Sequence, residues 1–226
     1  MQDRGVPVRA VVFDLWDTIV DFDQAQGEAL HRRIAERLAI PYERFAEVWY
    51  SEELIRRRNV GPIASCLTAA CETLGVEADV DELVGWRLEL TRRALVPRPG
   101  LLATLTELRR RDLRVGLVSN CTEEVADAWP ETSFASLFDR AVFSATAGLA
   151  KPDPEIYRVA ADGLGVEPDD CLFVGDGAND ELRGARDAGM TPVLIHRDGA
   201  EPRWDEVRDW DGLRVTSIPQ VLELVP

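Results

Sequence analysis

Apolar residues along this chain follow two rhythms, and the switch between them predicts its layout. Residues Ala10 to Val20 read A-V-V-F-D-L-W-D-T-I-V, a short and nearly continuous apolar run that breaks into Asp14, Asp17 and Thr18. Such a run suits a strand buried on both faces of a parallel sheet. From about Phe22 the rhythm becomes helical. Helices are expected over Gln24–Leu38, Tyr42–Arg58, Pro62–Leu74 and Val80–Leu95, with breaks at Ile40-Pro41, Asn59-Val60-Gly61 and Gly75. Four amphipathic helices with short connections predict a small bundle inserted after the first strand.

From Pro97 the two rhythms alternate. Strands are expected at Leu113–Val118, Ala141–Ser144, Cys171–Val174, Pro192–Ile195 and Arg214–Thr216. Helices are expected at Leu101–Arg111, Glu123–Trp129, Pro154–Leu164, Glu181–Ala188 and Ile218–Leu224. Strands alternating with helices predict an α/β fold with a doubly wound parallel sheet. The expected division is a core of residues 1–20 and 97–226 with a helical unit, 21–96, inserted in it.

Composition narrows the function. The 226 residues are 46% hydrophobic and 30% charged, enough for a packed core. A net charge of -15 argues against a nucleic-acid surface, which needs a positive footprint. No apolar run approaches a membrane span, and Met-Gln-Asp-Arg-Gly lacks a signal-peptide stretch. Cys66, Cys71, Cys121 and Cys171 are dispersed without a C-x-x-C pair, as expected of reduced, packed thiols. The expectation is a cytoplasmic protein that binds neither nucleic acid nor membrane.

The chemistry gathers where strands end. Asp14, Asp17 and Thr18 follow the first strand, Ser119 and Asn120 the second, and Asp176, Asp180 and Glu181 a later one; Lys151 stands in G-L-A-K-P-D-P. Right-handed crossovers bring the carboxyl ends of parallel strands to one rim, so these groups can meet. A carboxylate there can attack phosphorus to give an aspartyl phosphate. Clustered carboxylates need a cation, and hard oxygen ligands suit Mg2+. A lysine and a serine hydroxyl would hold the phosphoryl oxygens.

These residues resemble a known family. F-D-L-W-D-T, L-V-S-N, K-P-D-P and V-G-D-G-A-N-D-E-L-R-G-A-R-D-A-G-M are similar, in order and spacing, to the four motifs of the haloacid dehalogenase-like (HAD) hydrolase superfamily. The resemblance implies a Rossmann-like core, with the helical insert as a type-one cap that closes over the site. It implies Asp14 as nucleophile, with Mg2+ held by Asp14, the backbone carbonyl of Trp16 and Asp176. Ser119 and Lys151 would hold the phosphoryl group, while Thr18 supports the loop and, with Asn120, borders the substrate. For the last acid, the following R-G-A favours Glu181 and residue type favours Asp180; Asp180 is the expectation adopted. The implied partner is a small phosphorylated molecule, and monomer and homodimer both stay open.

One position departs from the pattern. Phosphatases of the family usually carry an acid–base Asp two residues after the nucleophile, and here that residue is Trp16. Asp17 is offset by one, which in an extended segment turns its side chain to the opposite face. Family dehalogenases carry an aromatic residue at this place, attack carbon and need no metal, but they lack the G-D-x-x-x-D pattern present here. The expected activity is therefore Mg2+-dependent phosphoryl hydrolysis with a leaving group that needs no proton. The alternatives are a dehalogenase-type hydrolase and a binding or regulatory protein with little turnover. Arg56-Arg57-Arg58 in the helical insert reads first as a solvated face, with contact to a second anionic group as the other reading.

Overall fold

Alternate residues of the first strand serve two different cores. In β1 (Ala10–Phe13), Val11 and Phe13 enter one apolar cluster while Ala10 and Val12 enter another, and all four are fully buried. This is why the run is apolar without alternation. The computed structural model describes residues 8–196 and 204–226. After β1 come five helices: α1 (Gln24–Arg37), α2 (Tyr42–Trp49), α3 (Glu52–Asn59), α4 (Ile63–Leu74) and α5 (Val80–Ala94). The α/β alternation follows as α6 (Leu101–Arg110), β2 (Arg114–Ser119), α7 (Glu123–Ala128), β3 (Arg140–Phe143), α8 (Ser144–Ala147), α9 (Pro154–Leu164), β4 (Cys171–Gly175), α10 (Glu181–Ala188), β5 (Thr191–Ile195) and β6 (Leu213–Val215). The expected tail helix is a 3-10 segment, Ile218–Glu223.

The strands form one parallel sheet in the order β3-β2-β1-β4-β5-β6. Helices α6 and α7 cover one face, and α9 and α10 the other, giving the doubly wound Rossmann-like arrangement. Phe13 pairs with Leu117 of β2 and with Val174 of β4. The register therefore sets Asp14 level with Val118 and Gly175, just before Ser119 and Asp176. The chain runs from β1 to β2 and β3 on one side, then to β4 on the other. That reversal opens a crevice at the carboxyl ends of the strands.

Helices α1 to α5 build an apolar cluster of their own around Ile34, Phe45, Trp49, Leu67 and Leu83. The chain passes from β1 into these helices and back beside itself, joined by an antiparallel bridge between Val20 and Pro97. The single helix expected over Tyr42–Arg58 is two. Tyr50 leaves the helical path, and Ser51 caps α3, its Oγ accepting from Leu54 N at 3.4 Å and donating to Val48 O at 2.8 Å. A serine followed by two glutamates is a helix start that the apolar spacing alone overrides.

Candidate active site

A short chain of buried charges occupies the carboxyl rim. Lys151 Nζ donates to Asp14 Oδ1 and, at 2.5 Å, to Glu181 Oε2. All three side chains are almost wholly buried. Burial pushes the Asp14 carboxyl above its ordinary range, as does the nearby Asp176 charge, with Lys151 opposing. Burial lifts Glu181 to about 8, again against Lys151. For Lys151, burial works against the charge, but the carboxylates of Asp14 and Glu181 outweigh it and raise its pKa.

Backbone geometry fixes each member. Asp14 N donates to Val174 O at 2.9 Å, tying the end of β1 to β4. Asn120 clamps the Lys151 backbone, its Nδ2 donating to Lys151 O at 2.8 Å and its Oδ1 accepting from Lys151 N at 2.7 Å. Both ends of the Asn120 amide are thus engaged on Lys151. Glu181 Oε1 accepts from Gly177 N at 2.9 Å, and the buried Tyr157 hydroxyl donates to Glu181 O at 2.7 Å. Only glycine fits at two neighbouring positions. A Cβ at 175 would stand 2.2 Å from Glu181 Oε1, and one at 184 would stand 2.3 Å from Pro152 O.

Ligand atoms of Asp14, Asp176 and Glu181 lie within 4.8 Å of one another. This corrects the expectation for the last acid: Asp180 turns outward and pairs with Arg183 at 2.6 Å. Asp180 has a positive φ of 57° at the start of α10, which rotates it off the rim, while Glu181 in the first turn points in. The extra loop residue before R-G-A was the usable signal. Three acids gathered beside one lysine are a donor set that fits a hard divalent cation. Asp176 Oδ2 accepts from Trp204 Nε1 at 2.8 Å, and Oδ1 from Ala178 N at 3.1 Å. Nothing in the sequence spacing of Trp204 links it to Asp176.

Among the described residues, Thr18 Oγ1 and Ser119 Oγ are buried with no oxygen or nitrogen partner, and the Ser119 hydroxyl meets the Cys121 thiol. Asp17 has another task. In a left-handed conformation (φ 55°), its carboxylate accepts from Phe22 N at 3.2 Å and lies 3.8 Å from Arg98 Nη2. It therefore braces the crossing to the helices. Arg98, unmarked in the sequence, also binds the carbonyls of Asp17 and Thr18 and the carboxylate of Asp21. Burial pushes the Cys121 thiol up to about 12, which leaves it no nucleophile.

A cavity of about 490 Å3 lies between the helices and this rim. Trp16, Asn120, Cys121 and Thr122 line its sheet side, and His31, Tyr50, Arg58 and Arg87 its helical side. The Trp16 ring meets Phe22 edge-on, with centroids 5.6 Å apart. Asp14, Ser119 and Lys151 are not among the cavity's lining residues.

Sheet order, crevice and acidic centre define a doubly wound α/β protein with its candidate site at the carboxyl rim. A model of the haloacid dehalogenase-like hydrolases matches residues 8–189, and the chain belongs to that family. It is 33% identical to a protein of Mycobacterium tuberculosis named as a phosphatase, over 91% of this chain and 95% of that one. It is 30% identical to (S)-2-haloacid dehalogenase 4A of Burkholderia cepacia, over 88% and 87%. The crystal structure of a 2-haloacid dehalogenase from Pseudomonas syringae shares the fold, with a TM-score of 0.71 at 23% identity, covering 96% of this chain and 97% of that one. Phosphatases and dehalogenases thus both stand among its relatives. No helix among the described residues is long and apolar enough to cross a membrane.

Proposed function

We propose that this hydrolase is a Mg2+-dependent phosphatase of small molecules, acting through an aspartyl phosphate on Asp14. The observation that carries the reading is the gathering of Asp14, Asp176 and Glu181 around a single lysine. Asp14 and Asp176, with the Trp16 carbonyl, would hold the metal, which when bound offsets the charge between the attacking carboxylate and the phosphoryl oxygens. An Asp14 carboxylate oxygen bonds to phosphorus as the bond to the leaving oxygen breaks, and the electron pair departs with that oxygen. Ser119 and Thr18 supply the buried hydroxyls, and Lys151 orients the nucleophile. Water then attacks phosphorus, releasing phosphate and restoring the carboxylate.

Trp16 occupies the position of the usual acid, and Asp17 is held by Phe22 and Arg98, so neither is placed to protonate the leaving oxygen. That favours acyl and aryl phosphates, whose leaving groups are stable as anions; a missing acid–base group costs about 10²- to 10⁴-fold on poor leaving groups. Helices α1 to α5 act as the cap that selects substrate. Four free, buried cysteines accord with a cytoplasmic setting. The second reading, carbon attack on a haloacid, draws support from Trp16 and from the dehalogenase relatives.

Acetyl phosphate, 4-nitrophenyl phosphate and 2-chloropropionate, each assayed with Mg2+ and with EDTA, separate the readings. Phosphate release that stops with EDTA is the expected result; chloride release that persists in EDTA would establish the second reading instead. Removing the indole that holds Asp176, with Trp204→Phe, should raise the half-saturating Mg2+ concentration about 10- to 100-fold, as losses of such supporting bonds commonly do. An unchanged value would detach Trp204 from the metal site.

A further inference from the structure

Most charges lining the cavity are neutralised where they stand. Arg87 Nη2 lies 2.6 Å from Glu124 Oε1, and Glu28 Oε1 lies 2.6 Å from Arg32 Nη2. The exposed Asp23 spends its carboxylate capping α1, accepting from Gln26 N at 3.1 Å. Arg58 differs: among the described residues no carboxylate pairs with it. Its Nη1 donates to Trp49 O at 2.6 Å, and its guanidinium carbon sits 5.1 Å from the Trp49 ring centroid and 5.9 Å from that of Tyr50. One bond leaves most of its five donors for a ligand. Burial, and the charge of Arg87, hold its pKa down at about 10, the mark of a cation whose compensation is missing.

A relay turns a second donor toward the same space. Arg87 Nη1 can only donate, so His31 Nε2, 3.4 Å away, accepts. Burial and the charges of Arg87 and Arg58 hold His31 neutral, with a pKa down to about 3. Its proton therefore sits on Nδ1, which donates to the Tyr50 hydroxyl at 2.8 Å. The hydroxyl hydrogen of Tyr50 is then available to a ligand.

We propose that Arg58 and the Tyr50 hydroxyl form a second anion subsite in the cavity, and that the substrate carries a carboxylate remote from its phosphoryl group. A single uncompensated cation with one hydroxyl matches a monoanion, and a guanidinium fork fits a carboxylate's two oxygens. The aromatic lining of Trp16 and Phe22 suits an apolar or planar spacer between the two groups. The inference rests on the phosphatase reading, and its test separates the two.

The probes are benzylphosphonate and 4-carboxybenzylphosphonate, titrated calorimetrically into the full chain with Mg2+. The wild type should bind the carboxylated compound about ten- to a hundredfold more tightly, the worth of hydrogen bonds to a charged group. In Arg58→Gln the ratio should fall to about one, and in Arg58→Lys and Tyr50→Phe to intermediate values. These two milder variants read the subsite even where the glutamine variant folds poorly. A wild-type ratio near one, or a full ratio surviving Arg58→Gln, overturns the subsite while phosphonate binding keeps the phosphatase reading. Failure of both phosphonates to bind the wild type removes that reading and the subsite with it.

Discussion

Asp14→Asn is expected to lower turnover by at least about 10⁴-fold, since the loss of a covalent nucleophile leaves only the binding contributions of the remaining site. The same change should leave the fold close to wild-type stability. The asparagine keeps the shape of the side chain, Lys151 keeps Glu181 as a partner at 2.5 Å, and one buried charge is removed. Steady-state rates paired with urea unfolding check both halves. Turnover within tenfold of wild type would exclude Asp14 as the nucleophile. A collapse of stability would make it a structural member of the charge chain.

Lys151→Met should behave in the opposite way, costing stability as well as activity. Lys151 is the cation between two buried carboxylates, and its removal leaves Asp14 and Glu181 without it. Breaking a buried pair by deleting one partner costs about 3–5 kcal/mol. The urea midpoint should fall accordingly, and adding Glu181→Gln to the variant should return part of the loss, because the two side chains are coupled. A single variant within about 1 kcal/mol of wild type, or a double variant that is simply additive, would show that the short contacts around Lys151 carry little energy.

Much of this arrangement was legible before any coordinates. The apolar run before Asp14 marked a strand buried on both faces, and the alternation after Pro97 marked the doubly wound sheet. Register then brought Asp14, Ser119 and Asp176 to one rim, as parallel strands must. What escaped was local. Asp180 and Glu181 are adjacent and both acidic, and it is Glu181 that joins Asp14 and Asp176 while Asp180 pairs with Arg183. Ser51 divides a helix whose apolar spacing runs through the break. Contacts made across long stretches of chain, such as Trp204 on Asp176 or Arg98 on the Asp17 loop, leave no periodic trace. Arg58 was visible only as one of three arginines on a charged face; its place in the cavity comes from the packing of α3 beside α4.

The covalent adduct is the most direct test of the central claim that Asp14, supported by a metal held beside Asp176, attacks phosphorus. The chain is mixed briefly with acetyl phosphate and Mg2+, quenched in acid, and mapped by peptide mass spectrometry. The expected result is a phosphoryl group on Asp14 in the wild type, absent with EDTA and absent in Asp14→Asn. Contradiction would be a wild type with no phosphoryl adduct that instead gains an organic adduct on Asp14 from 2-chloropropionate without metal.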